Sequence, residues 1–163
     1  MELDPSESYG AWNGAVIARF LLDSRIPLRL SFESRNGPII VPLWFEYSDG
    51  RMVSCSPEES TLVQSLVAKP EVAFDVSTND LPYRGVRGRG HASCTTTTDT
   101  AQLETLLTRY VGGTDGQLAQ WLLNRSGRES IIVIEPSWLT SWDFSERMRD
   151  LATVSERIPD SAL

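Results

Sequence analysis

The stretch PIIVPLWFEYSDGRMVSCSP, residues Pro38 to Pro57, decides the fold. Its first half, IIVPLWFEY, is β-branched and aromatic, Ser48-Asp49-Gly50 is a turn, and RMVSCS is a second extended run. Upstream, LRLSFESR alternates Leu28, Leu30 and Phe32 with polar partners, and Asn36-Gly37-Pro38 turns it into the first run. Three extended segments in succession, with no helix between them, predict an antiparallel meander.

Outward from this core the chain keeps punctuating itself. Ser56-Pro57-Glu58-Glu59 combines a capping hydroxyl, a proline at the first helical position and acids in the first turn, so a helix is expected to begin there. Leu62, Val63, Leu66 and Val67 share one face of it, and Lys69-Pro70 ends it. EVAFDVS then alternates Val72, Phe74 and Val76, and YRGVRGRGHASC resumes an extended pattern with Arg87, Arg89 and His91 on one face and Arg84, Val86 and Ala92 on the other. Helices are expected from Asn13 to near Ser24, over DTAQLETLLTRYV and over DGQLAQWLLNR, with a last strand at SIIVIEP. Several consecutive strands without βαβ alternation favour an α+β, mainly β architecture, an antiparallel sheet closing on itself as a barrel with peripheral helices. One domain over residues 1–145 is expected, with 146–163 as a helical or disordered tail.

Composition narrows the function. Twenty-two acidic against fifteen basic side chains give a net charge of -7, which repels phosphate backbones and anionic lipid surfaces, so neither nucleic acid nor membrane is the expected partner. No apolar run spans a bilayer, and the acidic start MELDPSESYG is unlike a signal peptide, so a cytoplasmic location is expected. Two distant cysteines, Cys55 and Cys94, and the single His91 make a poor metal inventory, and no metal site is expected. No nucleophile elbow, triad or paired-acid motif is present, so no catalytic residue is assigned.

Five features in order, Val41-Pro42-Leu43-Trp44-Phe45, Asp49-Gly50, Ser56-Pro57 with Ser60, Leu66 to Pro70-Glu71-Val72-Ala73, and Pro82-Tyr83-Arg84-Gly85-Val86-Arg87-Gly88-Arg89-Gly90, together resemble the pyridoxamine 5′-phosphate oxidase-like family, across roughly Ile17 to Phe144. That resemblance implies a flavin-binding split β-barrel working as a homodimer, with flavin mononucleotide (FMN), or in some branches a deazaflavin, in a cleft between subunits. It implies two-electron redox of a small-molecule substrate. Ile40, Val41, Pro42, Leu43 and Trp44 would lie beside the isoalloxazine ring, Ser54, Ser56, Ser60 and Thr61 would run toward the phosphate, and Trp142 would cover the cleft. A deazaflavin-dependent reductase, or a non-catalytic flavin- or haem-binding protein of the same fold, is the alternative.

The residues themselves support part of this. A helix N-terminus offers free amide donors and the positive end of its dipole, so Ser56, Ser60 and Thr61 suit a phosphate as well as a simple cap. The family's basic phosphate ligand falls on Leu62 here, and Glu58 and Glu59 put negative charge nearby. Arg87 and Arg89, about 7 Å apart on one strand face, offer compensation, with Arg84 opposite. The other readings are that these arginines keep a strand soluble, and that Trp138, Trp142 and Phe144 clasp the C-terminal segment.

Overall fold

The computed structural model of the chain describes residues 1–125 and 127–149. From residue 150 onward, the expected tail lies outside the described residues. A short hairpin, β1 (Ser8–Tyr9) and β2 (Trp12–Asn13), leads into α1 (Gly14–Asp23), β3 (Leu28–Ser34), β4 (Gly37–Leu43), β5 (Glu46–Ser48) and β6 (Arg51–Pro57). Then come α2 (Thr61–Ala68), β7 (Glu71–Ser77), β8 (Arg84–Thr97), α3 (Ala101–Val111), α4 (Gln117–Leu123) and β9 (Glu129–Asp143). Strands β3 to β9 form one antiparallel sheet in the order β4-β3-β7-β8-β9-β6-β5. Its inner face holds the core, with Ile17 and Leu21 of α1, Leu28, Leu30, Met52, Leu66, Val76, Ile132 and Ile134 fully enclosed.

That order corrects the expected meander. The β3–β4 and β5–β6 hairpins form, but β4 and β5 lie at opposite edges of the sheet. Only Trp44 and Phe45 separate them, so Leu43 and Glu46 are at most about 11 Å apart. Seven strands laid flat would hold the edges nearly 30 Å apart. The sheet therefore curls until its edges approach, a split barrel in which no ladder among the described residues joins β4 to β5. A side chain from far along the sequence makes the crossing: the Phe45 amide donates to Tyr110 Oη at 3.2 Å, and the Tyr110 ring stacks on Trp44 with centroids 5.3 Å apart. Phe45 itself is fully buried.

Two further boundaries differ from expectation. Pro57 stays in β6, paired with Glu129, so α2 begins four residues later than the Ser-Pro cue suggests, capped by Ser60, whose Oγ accepts from the Val63 amide at 3.2 Å. β9 runs through Pro136 because a register shift at Arg89/Gly90 places the proline at a bulge, where its missing donor breaks no regular ladder. No described helix is long and apolar enough to cross a membrane.

Arg109 of α3 fastens the end of α1: it donates to the carbonyls of Leu22 at 2.8 Å, Leu21 at 3.0 Å and Ser24, and its guanidinium lies over Phe45. A cation at a helix C-terminus satisfies carbonyls that have no partner inside the helix. Arg109→Ala is expected to destabilise the fold by about 3 kcal/mol and lower Tm by roughly 6–12 °C in thermal unfolding. A shift below 2 °C would mean that water satisfies those carbonyls equally well.

Candidate functional site

β4 is an edge strand, and three clefts share it as a wall. Ile39 faces a cleft of about 630 Å³ floored by α2. Ile40 faces a second of about 410 Å³ on the outer face of the sheet. Pro42, Leu43 and Trp44 border a third, of about 270 Å³, beneath α3 and α4. The run Ile39 to Trp44 thus lies where the clefts meet.

The hydrogen-bonding character of the free edge follows from the hairpin. A two-residue turn, Arg35-Asn36, closes on the Ser34–Gly37 pair, and bonded pairs alternate from there. Residues 38, 40 and 42 therefore turn their backbone groups away from β3. This is why prolines are tolerated at 38 and 42, where the missing N–H faces outward. The edge presents the carbonyls of Pro38, Ile40 and Pro42 and a single donor, the Ile40 N–H. Ile40 is 68% exposed.

The largest of the three is lined mainly by polar and charged residues. Thr61, Gln64, Ser65 and Ala68 line it from α2, at the i, i+3, i+4 and i+7 spacing of one helix face, Lys69 lines it from the helix C-cap, and Arg35 and Asn36 line it from the β3–β4 turn. Lys69 Nζ lies 3.9 Å from Glu33 in an exposed pair. Arg35 and Lys69 are the cations here, and the sequence reading missed both by looking for charge in the first turn of the helix. The missing signal was that polar face of α2.

The expected site residues separate into groups. Thr61 lines the polar cleft, Ser56 borders the cleft beside Trp44, and Ser60 caps α2 while accepting from Ser56 Oγ at 3.2 Å. Ser54 departs from the expectation of a ligand-facing hydroxyl: alternation along β6 turns its side chain inward with Met52, it is 1% exposed, and its Oγ has no partner among the described residues. Leu62 is likewise a core residue at 7% exposure rather than a vacant ligand position. Glu58 does not oppose an anion at the helix start, because Arg128 grips both its carboxylate oxygens, at 2.9 and 3.1 Å, and Thr96 donates to it.

Arg87 and Arg89 stand on the outer face of β8, opposite Asp75 and Ala73 of β7. Their guanidinium groups lie 5.6 and 5.7 Å from the ring centres of Trp142 and Trp138. Arg87 lines the 410 Å³ cleft, which Thr61 does not border, so within one chain the arginines do not substitute for a basic residue at the start of α2. Trp142 serves as the platform under Arg87. Arg84 sits opposite Asp143. Burial works to raise the Asp143 carboxyl, but hydrogen bonds from Ser145 and Trp12 and the charge of Arg84 hold it below its ordinary value.

In the third cleft, burial and the charge of Glu129 push the Cys55 thiol up to about 12, although Arg125 works the other way. It stays protonated and unreactive at neutral pH. Among the described residues, no group of three or more His, Cys, Asp or Glu side chains is placed to hold a metal ion.

No family model matches the chain. No curated protein matches it either. Solved structures do. A conserved hypothetical protein from Mycobacterium tuberculosis aligns over 96% of this chain and 95% of its own, at 20% identity and a TM-score of 0.66. A structure described as an F420 reductase aligns over 74% and 93%, at 23% identity and 0.58. A putative pyridoxamine 5′-phosphate oxidase from Listeria innocua aligns over 80% and 94%, at 12% identity and 0.54. The curled seven-stranded sheet, its split between β4 and β5 and these superpositions give one conclusion: the chain has the split-barrel fold of pyridoxamine 5′-phosphate oxidase-like proteins.

Proposed function

We propose that the protein is an oxidoreductase that holds a flavin-type cofactor along the free edge of β4, in a seam completed by a second copy of the chain. The observation that carries this is the edge itself: one N–H flanked by carbonyls, with exposed Ile39 and Ile40 and three clefts meeting along it. The residues fit such a group. An isoalloxazine imide edge carries both donors and acceptors, which the Ile40 N–H and its neighbouring carbonyls match in kind. Trp44 and Leu43 supply apolar wall, and Arg35, Lys69 and Thr61 supply a polar, cationic pocket for a phosphorylated or otherwise anionic tail. When bound, the cofactor supplies two-electron chemistry, and the protein binds, orients and excludes water. Neighbours described as an F420 reductase and as a flavin adenine dinucleotide-binding protein of Mesorhizobium loti support a cofactor of this class.

FMN is the proposed form. A deazaflavin is the second reading, supported by the structural neighbour described as an F420 reductase.

Ile40→Pro tests the edge directly. It deletes the one outward donor at a position whose neighbours on the same side are already prolines, so the strand should persist. Affinity for FMN, followed by quenching of flavin fluorescence, is expected to fall roughly tenfold, the worth of one buried hydrogen bond, while Ile40→Val changes it little. Unchanged affinity in Ile40→Pro would remove the edge from the site, and the absence of saturable binding of any flavin or deazaflavin to the wild type would remove the function.

A further inference from the structure

We infer that the cleft on the outer face of β3, β7, β8 and β9 is a subsite for an organic oxyanion, a flat apolar molecule bearing a carboxylate or phosphate, seated with its charge on Arg87 and Arg89. As a substrate site this rests on the redox reading above, since Ile40 is a wall both of this cleft and of the proposed cofactor edge.

Charge comes first. The chain carries an excess of seven negative charges, yet among the described residues neither Arg87 nor Arg89 lies within 4.0 Å of a carboxylate, whereas their neighbour Arg29 is taken up by Asp75 at 3.0 Å, by Ser77 and by Asn79. Asp75 stands across the ladder from Arg87 but is engaged by Arg29, and two guanidinium groups side by side on one strand face repel each other. They are held in place all the same, each packed on an indole, Trp142 and Trp138. Stacking against an aromatic face fixes the plane of a guanidinium and leaves its N–H edge to bind, so little is lost in ordering it when an anion arrives.

Shape comes second. The cleft holds about 410 Å³, within the range of a small-molecule site. Ala73, Phe74, Gly88 and Ile40 make its surface largely apolar, with Trp138 at one side; Ser31, Arg29 and Asp75 also line it, the Asp75 carboxylate being held by Arg29 at 3.0 Å. Trp138 is 46% exposed, a costly way to leave an indole unless something covers it. An apolar body on that floor places an attached oxyanion within reach of Arg87, and Arg89, just outside the cleft's lining, stands two residues along the same strand face. A neutral molecule of the same shape would leave both cations unsatisfied.

The test compares 2-naphthoate and 2-naphthyl phosphate with neutral 2-naphthamide on full-length protein, read by quenching of tryptophan emission. Both oxyanions are expected to bind at least tenfold more tightly than the amide, and the tighter of the two identifies which headgroup the site prefers. Arg87→Gln/Arg89→Gln should erase the difference, with FMN affinity changed less than threefold and the circular dichroism spectrum intact. Equal binding of the three compounds by the wild type, a comparison that needs no variant, overturns the inference, as does a preference that survives in the double variant. Oxyanion binding without any flavin binding would sink the redox reading and leave the anion site standing. Flavin binding without an oxyanion preference would do the reverse.

Discussion

Gly90→Ala is expected to destabilise the protein by about 3 kcal/mol, enough to move the urea midpoint well below that of the wild type. At the register shift between Arg89 and Gly90, the main chain of β9 crosses so close that a Cβ on Gly90 would sit 2.3 Å from the Glu135 carbonyl oxygen, 2.9 Å from its carbon and 3.0 Å from Pro136 Cα. All three are backbone atoms, so no side chain can rotate away, and relief requires prising β8 from β9 where they form the longest ladder of the sheet. The same ladder aligns Arg87 and Arg89 with Trp142 and Trp138, so the proposed oxyanion subsite would be disturbed with it. Gly116→Ala is the control: its φ is -71° and nothing lies within 4 Å of the added methyl, so a change within about 1 kcal/mol is expected. A Gly90→Ala midpoint equal to that of the control would mean that the two strands do not approach this closely in solution.

Strand alternation made most of the sheet legible in the sequence. Leu28, Leu30 and Phe32, then Val72, Phe74 and Val76, do face the core as their period of two requires. The break between β4 and β5 was not legible, because Trp44 and Phe45 are good strand formers locally and the partner that replaces their ladder, Tyr110, lies 65 residues away. Ser56-Pro57 carried a strong local helix cue that lost to the pairing of Pro57 with Glu129, a long-range contact that no propensity encodes. Pro136 read as the end of a strand, since only a bulge supplied by Gly90 lets β9 continue past it. The candidate site drew on the same two kinds of signal. The run at Ile40 to Trp44 could be picked out, but its polar neighbour at Arg35 and Lys69 comes from a hairpin turn and a helix end brought together only by folding.

Those two cations carry the remaining large effect. Arg35→Ala/Lys69→Ala is expected to weaken FMN binding about 100-fold while changing riboflavin affinity less than threefold, because only FMN has the phosphate. A charge-assisted hydrogen bond contributes about 1.5–3 kcal/mol when sheltered, and exposure here brings each closer to the lower figure, so two together amount to about two powers of ten. Raising the salt concentration should weaken FMN binding to the wild type and do so less in the double variant. Glu33 supplies an internal check: it holds Lys69 at 3.9 Å, so Glu33→Gln should release that ammonium and strengthen FMN binding a few-fold. If the double variant loses FMN and riboflavin equally, the polar cleft supports the structure of the site rather than binding a phosphate. Only β4 would then remain as a candidate seat for the ring, with no phosphate site in this cleft.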